Sequence, residues 1–162
     1  MATFTLGADD QLSSRSINDL HPEMQTRQAV LFAAYAEKYP NNSQPFVTQT
    51  FRNPADQNTD FAKVPKVTNA RASQSLHNYF PSLSFDVAFK NAFGAIDWTE
   101  SLFDCLGSLA EPCDLNWGGS WHHFQDRPHF QPLNGGTLYS WENARDGVEP
   151  VWTSIVQQPI EG

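Results

Sequence analysis

Apolar residues recur at helical spacing from position 22 to about Lys38, with Met24, Leu31 and Tyr35 placed to share one face. That period predicts an amphipathic helix. Pro22 suits its first turn, where a missing N–H costs no intrahelical bond. A short helical turn is expected before it, over residues 15–20. "YPNNSQP" breaks the helix, and "FVTQTF" at 46–51 alternates like a half-buried strand. The polar stretch 52–75, with two prolines, reads as loop with one helical turn. "SFDVAF" at 84–89 alternates again, setting Phe85, Val87 and Phe89 on one side and Ser84, Asp86 and Ala88 on the other.

Asp97 and Glu100 have the spacing of a capping box opening a second helix. Leu102, Phe103, Leu106, Leu109 and Ala110 form its apolar stripe, and Pro112 ends it. Strand-like material returns at 116–117 and 129–133. The remainder is Gly- and Pro-rich and reads as an extended tail, packed through Trp141 and Trp152 and frayed at its end. Helices first and an antiparallel sheet afterwards predict a small α+β fold.

With 162 residues, the chain reads as a single domain (core about 13–133, with 134–162 as a C-terminal extension), large enough to bury a core. Eighteen acids against ten bases leave a net charge of −8, which excludes a nucleic-acid-binding surface and a cationic membrane anchor. The longest apolar run, "AVLFAAYA", is too short to span a bilayer. The N-terminus has neither the basic nor the apolar region of a signal peptide. Cys105 and Cys113 read as reduced thiols rather than a disulfide.

One segment concentrates candidate chemistry. "WGGSWHHFQDRPHF", residues 117–130, holds three of the five histidines and ends on an Asp-x-x-His spacing. Upstream, His77 precedes the turn-like "NYFPS", and Asp86 lies on the strand that follows. An antiparallel neighbour carrying His129 would bring two imidazoles and a carboxylate together. That set suits a catalytic zinc with one coordination position open. Asp126, three residues before His129, is placed to move protons without being a ligand. His122 and His123 are adjacent, so their side chains diverge; they read as rim or solvent groups. His21, ahead of Pro22, reads as a cap or packing residue. Trp117 and Trp121 read either as core anchors or as a substrate wall.

The same residues carry a family resemblance. "WGGSWHHFQDRPHFQ" resembles the "WGGDW-x-x-F-x-D-x-PHF" signature of the L-alanyl-D-glutamate peptidases. These are zinc enzymes, common among phage endolysins and related to the D-Ala-D-Ala carboxypeptidases (the LAS group). "SLHNYFPSLSFDVAF", "SRSINDLHPEMQ" and "FVTQTFRNPADQN" resemble that group's other elements, in the same order over residues 13–131. The resemblance implies an LAS-type (hedgehog/D-Ala-D-Ala peptidase-like) fold and one Zn2+ held by His77, Asp86 and His129. It further implies Asp126 as acid/base, Arg52 on a substrate carboxylate or oxyanion, and supporting roles for Gln57 and Ser75. Trp117 and Trp121 join these as substrate-binding or supporting residues.

Eight residues separate His77 from Asp86 where the family commonly has six. Ser84 replaces a small alanine, Ser120 an aspartate, and Phe51 a glycine. The implied substrate is the stem peptide of bacterial peptidoglycan, cut at L-Ala–D-Glu by a monomeric endolysin. It would be made in the host cytoplasm and released by a holin to the periplasm and cell wall. A D-Ala-D-Ala carboxypeptidase and a non-catalytic wall-binding phage protein are the alternatives.

Overall fold

The computed structural model describes residues 2–155, so the frayed end expected of the tail lies outside the described residues. Strand β1 (Thr5–Leu6) is followed by a 3-10 turn, Ile17–Asp19, and then by helix α1 (Pro22–Lys38). Met24, Leu31 and Tyr35 are fully buried along α1, as their spacing predicts. His21 caps the helix, its Nδ1 accepting the Glu23 N–H at 3.1 Å. Strand β2 (Gln44–Gln49) follows.

The polar stretch after β2 is more ordered than its pattern predicts. Residues 54–61 form helix α2 (Pro54–Phe61), two turns rather than one. Its signal lies in its ends and not in its periodicity. Asn53 accepts the Asp56 N–H at 2.7 Å, and Pro54 occupies the first turn. Strand β3 (Tyr79–Phe80) pairs with β1 and absorbs the lengthened connection between His77 and Asp86. Strands β4 (Phe85–Lys90) and β5 (Ile96–Asp97) form a hairpin that leads into helix α3 (Glu100–Gly107).

The expected Asp97–Glu100 capping box does not form. Thr99 is the N-cap and makes no side-chain cap bond, while Asp97 Oδ1 instead accepts from the N–H and hydroxyl of Thr99. Helix α3 ends at Gly107, short of Leu109 and Ala110. The Trp117 ring lies so close there that a Cβ on Gly107 would meet it at 2.2 Å.

Strand β6 (Leu115–Trp117), strand β7 (His129–Asn134) and strand β8 (Thr137–Leu138) complete the main sheet, and helix α4 is Trp141–Arg145. The sheet runs in the order β2-β4-β7-β6, with β5 on β4 and β8 on β7, all antiparallel. The architecture is α+β, but helices and strands interleave rather than running helices first. Residues 134–137 also depart from the tail reading. Gly135 and Gly136 both take positive φ, the two-residue hairpin turn that Asn-Gly-Gly favours.

One face of the sheet (Phe85, Val87, Phe89, Phe130) packs on α1 and α3 to form the main core. A second cluster joins Phe4, Leu76, Tyr79 and Leu83 to Tyr139 and Ala144 of the C-terminal segment. Trp141 packs on this second cluster, and Trp152 touches both. Cys105 and Cys113 are free thiols, partly and fully buried. Among the described residues, no helix is long and apolar enough to cross a membrane.

Candidate metal centre and its cavity

The face of the sheet opposite the main core carries the candidate chemistry. Strand pairing does most of the positioning. Asp86 on β4 stands directly opposite His129 on β7, and Gln49 on β2 stands opposite Asp86 just past a bulge. The bulge turns the chain toward Thr50 and Arg52. Arg52 N–H donates to the His77 carbonyl at 2.8 Å, which lays the His77 turn beside β2. Ser75 caps that turn, accepting the His77 N–H at 3.2 Å. The two residues by which the His77–Asp86 spacing exceeds the family's are therefore taken up without separating the pair.

The three groups meet closely. His77 Nε2 lies 3.0 Å from Asp86 Oδ1, His129 Nδ1 lies 3.2 Å from the same oxygen, and the two imidazole nitrogens are 3.2 Å apart. The proton positions follow from the opposite ring atoms. His77 Nδ1 is 2.7 Å from the Thr50 carbonyl, and His129 Nε2 is 2.9 Å from Gln131 Oε1. Each of those partners only accepts, so in a neutral ring the proton sits on the outward nitrogen. Both inward nitrogens are then lone pairs facing a carboxylate.

Three acceptors converging without a donor repel one another unless a cation or proton lies among them. Two imidazoles and a carboxylate are a donor set that zinc takes in catalytic sites. Their spacing approaches the roughly 3.3 Å edge of a tetrahedron with bonds of about 2.0–2.1 Å. The residues fit the ion that the resemblance implies.

The electrostatics are strongly coupled. Burial pushes the His77 imidazole below its ordinary pKa. Burial opposes ionisation of Asp86, but the two histidines outweigh it and hold that carboxyl well below the usual range. Burial also works against a charged His129, yet Asp86, Asp126 and Gln131 raise it. Asp126 moves the other way. Burial, helped by the charge of Asp86, lifts its carboxyl above the usual range against the pull of His129, His77 and Arg52. A raised carboxyl beside a metal-type cluster is suited to taking and returning a proton.

Trio, Asp126 and Arg52 all line one cavity of about 1140 Å³. Arg52 is held firmly. Its Nε donates to Gln49 at 2.8 Å, Nη2 donates to the same amide oxygen, and Nη1 donates to Gln57 Oε1 at 3.0 Å. Nη2 also stands 3.6 Å from the second oxygen of Asp86. Gln57 is fully buried and anchored by donation to the Ala70 carbonyl. It bears on the site through Arg52, since Gln57 does not line the cavity, whereas Ser75 does.

Trp121 lines the cavity with its ring 5.3 Å from that of His129. Trp117 does not. It packs behind the site between Gly107 and Gly119, and its Nε1 donates to the Arg127 carbonyl at 2.7 Å, bracing the approach to His129. Of its two readings, the structure favours the anchor. His122 and His123 are exposed on the cavity rim, away from the trio's contacts. Phe51, standing at the family's glycine, is buried with its ring against Gly7, where a Cβ would meet it at 2.3 Å.

Two residues escape the sequence reading. Gln131 follows His129 by two positions on a strand, so the period of two places both on one face. Tyr139 reaches the cavity through the Asn-Gly-Gly hairpin, which the tail reading passed over.

Comparison with known proteins agrees with this geometry. A family model described as D-alanyl-D-alanine carboxypeptidase matches residues 68–132, the stretch that holds His77, Asp86, Asp126 and His129. The peptidoglycan L-alanyl-D-glutamate endopeptidase CwlK of Bacillus subtilis (strain 168) is 29% identical over 133 residues, covering 72% of this chain and 75% of its own. Among solved structures, the Serratia marcescens L-Ala D-Glu endopeptidase ChiX shares the fold, with a TM-score of 0.55 and 20% identity. That match covers 77% of this chain and 91% of ChiX. Matched segment, bacterial relative and shared fold together support the assignment of this chain to the LAS-type peptidases.

Proposed function

We propose that this chain is a zinc-dependent peptidoglycan endopeptidase that hydrolyses the L-Ala–D-Glu bond of the stem peptide. His77, Asp86 and His129 hold one Zn2+, and Asp126 is the acid/base. The observation that carries this reading is the convergence of three acceptors in one cavity with a carboxyl of raised pKa beside them. The names of the bacterial relative and of the solved neighbour supply the bond.

When bound, zinc supplies Lewis acidity, polarising the scissile carbonyl and easing deprotonation of water. Asp126 accepts a proton as the water oxygen attacks the L-Ala carbonyl carbon. It then delivers that proton to the departing D-Glu amine as the C–N bond breaks. Arg52 offers its remaining N–H groups to the oxyanion or to a substrate carboxylate, with Gln57 and Gln49 fixing its plane. Ser75 holds the His77 turn, Trp121 forms the wall beside His129, and Trp117 supports both from behind.

The chain acts as one peptidase domain and as a monomer, with the segment from residue 134 packed onto it. Its biological role is that of a phage endolysin, made in the host cytoplasm and reaching the cell wall after holin-mediated release. Digestion of purified peptidoglycan by the zinc-loaded protein, with products read by mass spectrometry, tests the bond. Peptides newly beginning at D-Glu are the expected result. The description of the matching family model favours a second reading, a D-Ala-D-Ala carboxypeptidase, which would release only terminal D-alanine.

A further inference from the structure

The segment beyond β7 contributes no group to the acceptor trio, yet one side chain ties it there. Gln131 Oε1 lies 2.9 Å from His129 Nε2, and Gln131 Nε2 donates to the Tyr139 carbonyl at 2.9 Å. A primary amide satisfies both contacts in only one orientation. Turned over, it would set its oxygen against the Tyr139 carbonyl, acceptor against acceptor. That carbonyl is itself fixed. Tyr139 is buried in the second cluster, its hydroxyl donates to the Val148 carbonyl at 2.5 Å, and the Leu133–Leu138 pairing sets the strand before it.

We propose that Gln131 is a positioning residue for the metal site and that residues 137–148 act on the site through it. The Tyr139 carbonyl orients the amide, and the amide keeps the His129 proton on Nε2. The Nδ1 lone pair is thereby held toward Asp86 and His77. With the proton on Nδ1 instead, His129 would donate to Asp86 and would not be a ligand. His77 receives the same service from the Thr50 backbone carbonyl, which no substitution removes. Gln131 is the half of the arrangement open to change. This inference rests on reading the trio as a zinc site.

The test uses the full chain with 15N-labelled histidine. Long-range 1H–15N spectra of the zinc-loaded protein report which His129 nitrogen carries the metal, and chelator competition gives the zinc dissociation constant. In the wild type, His129 binds through Nδ1 and carries its proton on Nε2. Gln131→Leu weakens zinc binding about 10- to 100-fold. Gln131→Glu recovers part of that loss, because one carboxylate oxygen still accepts from Nε2–H while the other faces the Tyr139 carbonyl without a donor.

A folded Gln131→Leu protein with wild-type affinity overturns the inference, as does a wild-type spectrum with the metal on His129 Nε2. If the leucine variant does not fold, the wild-type spectrum and the glutamate variant decide it. A wild type that binds no zinc after reconstitution fails differently, overturning the metal reading first and this inference with it.

Discussion

His77 Nε2 and His129 Nδ1 face each other at 3.2 Å, each with its proton drawn to the far side of the ring by a carbonyl oxygen. Asp86 Oδ1 completes the triangle. With both protons on the outward nitrogens, that relationship leaves three acceptors facing one point, an arrangement that a cation or a proton among them would relieve. Asp126 is not part of that triangle and lines the same cavity.

The loop that carries Asp126 is held by a glycine contact. A Cβ on Gly118 would meet the Asp126 backbone oxygen at 2.4 Å, and the Gly118 carbonyl accepts the Asp126 N–H at 3.0 Å. Backbone cannot yield as a side-chain tip can. Gly118→Ala is expected to lower kcat at least about tenfold through misplacement of the acid/base, since small displacements at the chemistry are costly, while zinc content stays at the wild-type level. Metal analysis beside turnover checks it, and unchanged turnover would count against the placement of Asp126.

Ser84, buried at the family's alanine position, has no hydrogen-bond partner for its hydroxyl among the described residues. An unpaired buried hydroxyl costs on the order of 1–3 kcal/mol. Ser84→Ala should therefore raise the midpoint of urea unfolding or leave it unchanged. A clear loss of stability would reveal a partner for that oxygen.

Arg27 and Asp114 form a buried pair at 3.0 Å, and Asp114 also accepts the Thr153 N–H. Removing Asp114 leaves the buried Arg27 guanidinium with Glu23 as its remaining charged partner, a side chain half exposed to solvent. Asp114→Ala is expected to cost about 3–5 kcal/mol in denaturant unfolding. A loss below about 1 kcal/mol, the range of exposed pairs, would contradict the burial.

His21 stacks on Trp152 and lies beside Glu149, Thr3, Glu23 and Arg27. Burial lowers its pKa despite the pull of Glu149. In acid, the unfolded chain thus takes up a proton at its ordinary value, near 6.5, before the folded one does. Its contribution to stability falls as pH drops through about 6.5 toward the folded value. His21→Asn keeps a cap acceptor and removes the titration. Melting temperatures across that window should vary less with pH in the variant, and equal slopes would refute the assignment.

The convergence of His77, Asp86 and His129 could be read from the sequence because they sit in motifs whose order and strand period survive folding. Asp86 and His129 each lie in an alternating segment, and one antiparallel pairing makes them neighbours. Helix α1 was legible for a similar reason, with its apolar stripe and Pro22 pointing to the same span. Helix α2 was hidden because its buried side chains are Pro54 and Gln57, which give no apolar period. The missing Asp97 cap reflects competition, since Thr99 satisfies that carboxylate locally. The Gln131–Tyr139 link is not legible because it depends on a two-glycine hairpin within a segment whose pattern reads as an extended tail packed on the domain.

Zinc stoichiometry and peptidoglycan hydrolysis, measured together for the wild type and Asp126→Ala, test the central claim most directly. The account predicts about one zinc per chain in both proteins. It predicts turnover in the wild type alone, with the variant slowed by about 10²- to 10⁴-fold. Zinc in both with equal turnover would remove Asp126 from the mechanism, and a wild type that takes up no zinc would contradict the site itself.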